Sequence, residues 1–143
     1  MAPPLIRPLT PADLPAALAL WARAGIELGT SDSLAELARV LDRNPETCLG
    51  AWDAEGALVG AALGTFDGRR ANLWHLAVAP ERQGEGLGRA LMAAIEAAWR
   101  GAGVVKITFS VLATNRRVLG FYEALGYHGR EDVFCVSKVL RED

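Results

Sequence analysis

Cysteine and histidine are scarce in this 143-residue chain, and their scarcity excludes several chemistries at once. Cys48 and Cys135 lack any C-x-x-C partner, and His75 and His128 lie far apart, so neither a zinc site nor a disulfide framework is expected. Solitary thiols suit a reducing compartment, and Met1-Ala2-Pro3-Pro4 carries no basic stretch leading into an apolar one, so a cytoplasmic protein is expected. Long hydrophobic runs are missing too. The longest uncharged apolar stretch, Ala57 to Phe66, is interrupted by glycines and too short for a bilayer, so no membrane partner is expected. Nor does one sign of charge prevail: Lys plus Arg number 15 against 17 Asp plus Glu, a net −2 that argues against nucleic acid as the main partner. Linkers, repeats and low-complexity segments are absent. Residues 1–143 therefore read as a single domain, long enough to remove roughly two thirds of its unfolded surface from water without staples.

What the chain does contain is an ordered series of element signals. Leu5-Ile6-Arg7 reads as a short strand, and Thr10-Pro11-Ala12-Asp13 opens a helix whose apolar stripe is Leu14, Leu18, Trp21 and Ala22, closed near Gly25. Ser33-Leu34-Ala35-Glu36 has capping-box spacing and starts a second helix, ended by Asn44-Pro45. A meander of three strands follows, Thr47 to Trp52, Ala57 to Phe66 and Arg70 to Val78, with Asp-Gly turns between. Helix three is expected over Leu87 to Arg100, strand five over Val104 to Val111, helix four over Asn115 to Leu125, and one or two strands over Tyr127 to Val139. Such an order implies an α/β chain with a mixed sheet covered by helices on both faces.

The densest signal is the turn from Val78 through Pro80, Glu81, Arg82, Gln83, Gly84, Glu85, Gly86, Leu87 and Gly88 to Arg89. A strand feeding a glycine-rich turn into a helix presents unpaired main-chain N–H groups and the positive end of the helix dipole, which together hold an anion such as a diphosphate. A Walker loop is excluded because Arg89 and Ala90 follow the last glycine where Lys and Ser or Thr are needed. A dinucleotide fingerprint is excluded because no glycine stands three residues beyond its second one. What remains is Gln83-x-x-Gly86-x-Gly88. A second block has Asn115, then Tyr122 seven positions on, then Leu125-Gly126-Tyr127. Seven residues are about two helical turns, so Asn115 and Tyr122 are expected on one face, roughly 10 Å apart. Alternatively Asn115 is an N-cap and Tyr122 a core aromatic.

In this order, these two blocks resemble the signatures of the GNAT superfamily of N-acetyltransferases, and the chain is similar to its small stand-alone bacterial-type members. The resemblance implies a mixed, mostly antiparallel sheet of about six or seven strands, splayed between strands four and five where coenzyme A enters. It implies acetyl-CoA as co-substrate, with no metal, and direct transfer of the acetyl group to a primary amine in a ternary complex. Main-chain groups of Leu76, Ala77 and Val78 would receive the thioester oxygen, and Arg82, Gln83, Gly84, Glu85, Gly86, Leu87, Gly88, Arg89 and Asn115 would hold the coenzyme. Tyr122 would meet the departing thiolate. The amine must lose a proton, at a cost of about 4 to 5 kcal/mol if it resembles lysine at pH 7.

His75 is the candidate base, since an imidazole exchanges protons near neutral pH. Period-two alternation instead places His75 beside Leu73 and Ala77 as a structural hydrogen-bonder. No acid lies within Leu73 to Ala79, so a carboxylate at the site has to come from elsewhere. On the acceptor side, Glu27 and Asp32 could receive a cationic amine, or be a solvated loop acid and a residue favouring the N-terminus of the second helix, and Trp52, Trp74 and Tyr127 could line an aromatic pocket or belong to the core. The acceptor is a small-molecule or protein amine. Alternative readings are a protein N-terminal acetyltransferase of the ribosomal-protein type and a non-catalytic acyl-CoA-binding regulatory module. The segment Val133 to Val139 could pair with a second subunit as a homodimer or equally end as a short edge strand.

Overall fold

A computed structural model describes residues 3–142. The chain divides into two compact units, one running to Thr108 and one spanning Phe109–Glu142.

The first unit is built on a four-stranded antiparallel sheet in the order β1 (Leu5–Pro8), β2 (Cys48–Trp52), β3 (Leu58–Phe66) and β4 (Ala71–Val78). The turn residues set these boundaries. Asp53 accepts hydrogen bonds from the Glu55 and Ala57 amides at 2.9 Å each, and Asp67 accepts from Arg69 and Arg70 at 2.7 and 2.8 Å. An Asx side chain that captures the amides ahead of it closes the hairpin locally.

Thr10 and Asp13 cap a 3-10 turn that leads into α1 (Leu14–Arg23), which ends where the Gly25 and Ile26 amides fold back onto Ala22 and Trp21. Its buried face is Leu14, Ala17, Leu20 and Trp21, so Leu18 and Ala22 of the expected stripe lie off it. α2 (Leu34–Arg43) starts as its spacing predicts, with the Ser33 hydroxyl accepting from the Glu36 amide at 3.2 Å.

α3 (Leu87–Gly101) lies along β3 in the same direction. Atoms of Leu91 and Trp99 come within 2.9 Å of where Cβ atoms on Gly60 and Gly64 would stand, so the helix packs closely over these two glycines. The step from Leu91 to Trp99 rises about 12 Å and that from Gly60 to Gly64 about 13 Å, which is why both contacts form. Alternation then turns Ala61 and Leu63, both buried, toward the opposite face, where α1 and α2 pack.

Strand five is not extended along β4. The segment after α3 makes one parallel bridge, Ala71 with Ile107, framed by bonds of 3.1 Å from Ala71 N to Lys106 O and 2.9 Å from Thr108 N to Ala71 O. Pairing stops at Thr108. In the second unit, a 3-10 turn (Ala113–Asn115) precedes α4 (Val118–Ala124), and residues 128–142 form no strand. Val133, Phe134, Val136 and Val139 are exposed there, so the segment has β-forming side chains but pairs with no strand among the described residues. No helix among the described residues is long and apolar enough to cross a membrane.

Cys48 belongs to the core, 1 % exposed, with its Sγ 3.5 Å from the Gly64 carbonyl. Burial pushes its thiol from an ordinary 9.0 up to about 12. The folded chain therefore retains a proton that the unfolded chain releases as pH rises from 9 toward 12, and stability falls across that window. The slope from this group reaches about 1.4 kcal/mol per pH unit. Denaturant midpoints measured from pH 8 to 11 are expected to fall less steeply for Cys48→Ala than for the parent.

Candidate active site

β4 ends at Val78, and the chain enters α3 through Ala79, a 3-10 turn (Pro80–Arg82) and the glycine run. The Gln83 side-chain amide donates to the Val78 carbonyl at 3.2 Å and ties the turn to the strand end. Arg82 Nε donates to Glu85 Oε1 at 2.9 Å, while its Nη1 lies 3.5 Å from Asp53 Oδ2. These three side chains, expected as coenzyme contacts, brace the turn itself.

Gly84 and Gly86 have φ of +83° and +86°, and a Cβ at either would meet nothing within 4 Å. The turn thus needs glycine for its dihedrals and is open on its outer side. Gly86 is the N-cap of α3, and no side chain caps that helix. The first bond back runs from the Ala90 amide to the Gly86 carbonyl at 3.0 Å, so the amides of Leu87, Gly88 and Arg89 have no acceptor within the helix. The Leu87 side chain is buried, leaving only its main chain on the turn, whereas Arg89 is exposed.

One strand inward, β4 is irregular. Ala61 pairs with Ala77 and Leu63 with Trp74, so His75 and Leu76 together oppose the single residue Ala62. This is a β-bulge, which leaves a residue outside the ladder and re-aims side chains. His75 sits at φ +57°, and Ser31, at +72°, is the other non-glycine residue with positive φ among those described. The bulge corrects the period-two expectation. Leu73 and Ala77 are buried, while His75 keeps 18 % of its side chain exposed. Leu76 and Val78 are half-buried, so the main chain from Leu76 to Val78 runs between the bulge and the glycine turn.

The His75 ring meets two partners. Its Nε2 is 2.7 Å from Asp32 Oδ1, and its ring lies 5.1 Å from the Trp21 ring, tilted by 56°. Trp21 is held in turn by its indole N–H, which donates to the Ala61 carbonyl at 3.3 Å. Asp32 was expected to receive a cationic amine or to favour the N-terminus of the second helix, and its contact with His75 spans 43 residues with no sequence signal. Trp52 is core, 8 % exposed, with the Arg7 guanidinium 3.6 Å above its ring, whereas Trp74 is 49 % exposed. Glu27 is exposed, and no pairing with His75 is seen for it.

In the second unit, Tyr122 is half-buried among Phe109, Phe121 and Tyr127, with ring centroids 4.8, 5.1 and 5.8 Å away. Burial pushes its phenol up to about 12. Asn115 does not share a continuous helix with it. It closes the 3-10 turn, its amide bonding to the Leu112 carbonyl, and α4 begins at Val118 with Arg117 as its N-cap. The expectation of two helical turns between them is corrected accordingly.

A sequence model described as the acetyltransferase (GNAT) family matches residues 14–127. The chain belongs to the GNAT acetyltransferase family. This GNAT protein is 33 % identical over 133 residues to an acetyltransferase of Pectobacterium atrosepticum, covering 92 % of each chain. Its fold is similar to that of the ribosomal-protein-S18-alanine N-acetyltransferase from Escherichia coli, with a TM-score of 0.72 and 28 % identity over 86 % of this chain and 76 % of that one. It is also similar to PaiA N-acetyltransferase from Thermoplasma acidophilum in complex with coenzyme A, with a TM-score of 0.81 and 20 % identity over 93 % and 94 % of the chains. The protein is accordingly an N-acetyltransferase of mixed α/β GNAT fold that uses acetyl-CoA. The open, uncapped turn before α3 fits the coenzyme's diphosphate: it supplies amides and dipole to an anion, and no side chain stands in the way.

Proposed function

We propose that this GNAT enzyme moves the acetyl group of acetyl-CoA directly to a primary amine while both substrates are bound, the two units working as one catalytic domain. The family match from 14 to 127 crosses both units, which supports that single domain. The observation that carries the reading is the glycine turn without a side-chain cap.

On this reading, main-chain amides from Gln83 to Arg89 hold the diphosphate, and Asn115 holds the coenzyme further along. Gly84, Gly86 and Gly88 keep the surface bare, and Arg82 and Glu85 keep the turn in shape. A main-chain N–H released by the bulge, within Leu76 to Val78, receives the oxyanion as the carbonyl becomes tetrahedral. His75 takes the amine proton. Tyr122, protonated throughout the neutral range, hydrogen-bonds the sulfur as the C–S bond breaks. The site works in the cytoplasm.

One second reading has specific support: the acceptor is a protein N-terminus, since the Escherichia coli relative is by name an N-acetyltransferase for an alanine of ribosomal protein S18, and alanine has no side-chain amine. A homodimer is part of the proposal, because the apolar side chains of 133–139 are exposed and a second subunit would cover them.

The test is thiol release from acetyl-CoA with a panel of small amines, lysine peptides and N-terminal peptides. Turnover with sequential two-substrate kinetics supports direct transfer, and preference for N-terminal peptides selects the second reading. Tight acetyl-CoA binding with no thiol release from any amine would overturn the enzyme reading in favour of a regulatory binder.

A further inference from the structure

The His75 and Asp32 pair is built with more care than a surface ion pair. The two side chains are 18 % and 13 % exposed, and they meet at 2.7 Å although Asp32 lies in the loop between α1 and α2 and His75 on β4. Asp32 is itself held. Its Oδ2 accepts from the Gly29 amide at 2.9 Å, its own amide donates to the Gly29 carbonyl at 3.1 Å, and the next residue is the N-cap of α2. The two non-glycine residues with positive φ among those described are His75 and Ser31, the latter adjacent to Asp32. Such dihedrals cost about 1 to 3 kcal/mol each and persist only where the surroundings impose them.

We propose that Asp32 is a positioning residue that fixes His75 as the Nε2–H tautomer, so that Nδ1 is the atom that takes the proton from the acceptor amine. The inference rests on the acetyl-transfer reading above. A carboxylate only accepts hydrogen bonds, as Asp32 does from the Gly29 N–H, so the shared hydrogen belongs to Nε2. Nδ1 then carries the lone pair, and no hydrogen bond to it is made among the described residues. The Trp21 ring against the imidazole limits its rotation.

The balance is simple. An ammonium proton passes to Nδ1, the freed nitrogen lone pair forms the C–N bond at the thioester carbonyl, and the C–S bond breaks to release thiolate. The second nitrogen proton leaves as the amide forms and ends on sulfur, while His75 returns its own proton to solvent.

Asp32→Asn supplies the sharpest test. The Gly29 amide still requires an oxygen opposite it, so the new NH2 group faces Nε2 and donates, which moves the ring proton to Nδ1 and blocks the base. With the best acceptor from the panels, Asp32→Asn is expected to lower kcat about 30-fold with little change in KM for acetyl-CoA. In a His75→Gln background the same change is expected to add no further loss, as for two residues acting as one unit. Nitrogen-15 spectra of labelled imidazoles, with His128→Gln to assign His75, read the tautomer without any acceptor: Nε2–H in the parent and Nδ1–H in Asp32→Asn. A parent ring protonated on Nδ1 alone, or Asp32→Asn turning over at the parent rate, or full additivity with His75→Gln, would each overturn the proposal. If no amine is acetylated while the spectra show Nε2–H, the base role fails together with the acetyl-transfer reading, and the held tautomer alone survives.

Discussion

Tyr122→Phe is expected to lower kcat about 100- to 1,000-fold while leaving the KM for acetyl-CoA within about twofold. The phenol packs against Phe109, Phe121 and Tyr127 by its ring, and phenylalanine preserves those contacts. What disappears is one hydroxyl. With the phenol pushed up to about 12 and a thiolate near 8.5, complete proton transfer at the moment of C–S cleavage is uphill by about 5 kcal/mol. The hydroxyl therefore works as a donor whose hydrogen bond strengthens as charge builds on sulfur, an interaction made in the transition state and not in the bound thioester. Losing such an interaction lowers kcat without touching ground-state binding. The same burial fixes a pH dependence: the hydroxyl keeps its proton until about 12, so no alkaline loss of rate from Tyr122 is expected between pH 8 and 10. A kcat for Tyr122→Phe equal to that of the parent would remove the phenol from the reaction.

Gly86→Asp is expected to weaken coenzyme A binding about 100-fold, and Gly86→Asn by less than about tenfold. Both side chains tolerate a left-handed φ better than others do, and at +86° with nothing within 4 Å of the Cβ each projects into open space over the turn. The helix dipole favours the aspartate, so the fold is not what suffers. The difference between the two variants isolates charge. A carboxylate about 5 Å from a diphosphate oxygen costs about 3 kcal/mol per unit charge at an effective dielectric of 20. Equal affinities for the two variants, read by calorimetry, would place the phosphates elsewhere.

Much of the first unit was legible because local chemistry decides it. Asp53 and Asp67 close the hairpins, Ser33 caps α2, and α3 starts at Leu87 after a glycine at positive φ. The glycine turn was legible for the same reason, since an anion cradle is built from main chain and needs only the right residues missing side chains. Three features were not. The bulge at His75 has no glycine or proline to announce it, and an unbroken alternation sent the ring into the core with Leu73 and Ala77. The Asp32 contact depends on how α1, α2 and β4 pack, which no short window of sequence contains. The apolar β-branched segments at 104–111 and 133–139 carry strand propensity, but a strand is a pairing, and among the described residues only Ile107 finds a partner. Asn115 and Tyr122 were placed on one helix by spacing alone, whereas the chain takes a 3-10 turn before α4 begins.

The central claim is that the turn from Gln83 to Arg89 binds the diphosphate of the acetyl donor through its main chain. Titration of the folded protein with coenzyme A and, separately, with pantetheine, which shares the thiol arm but lacks the diphosphate, tests it most directly. Heat of binding is expected with coenzyme A, and an affinity for pantetheine at least about 100-fold weaker. Pantetheine binding as tightly as coenzyme A, or no uptake of either, would contradict it.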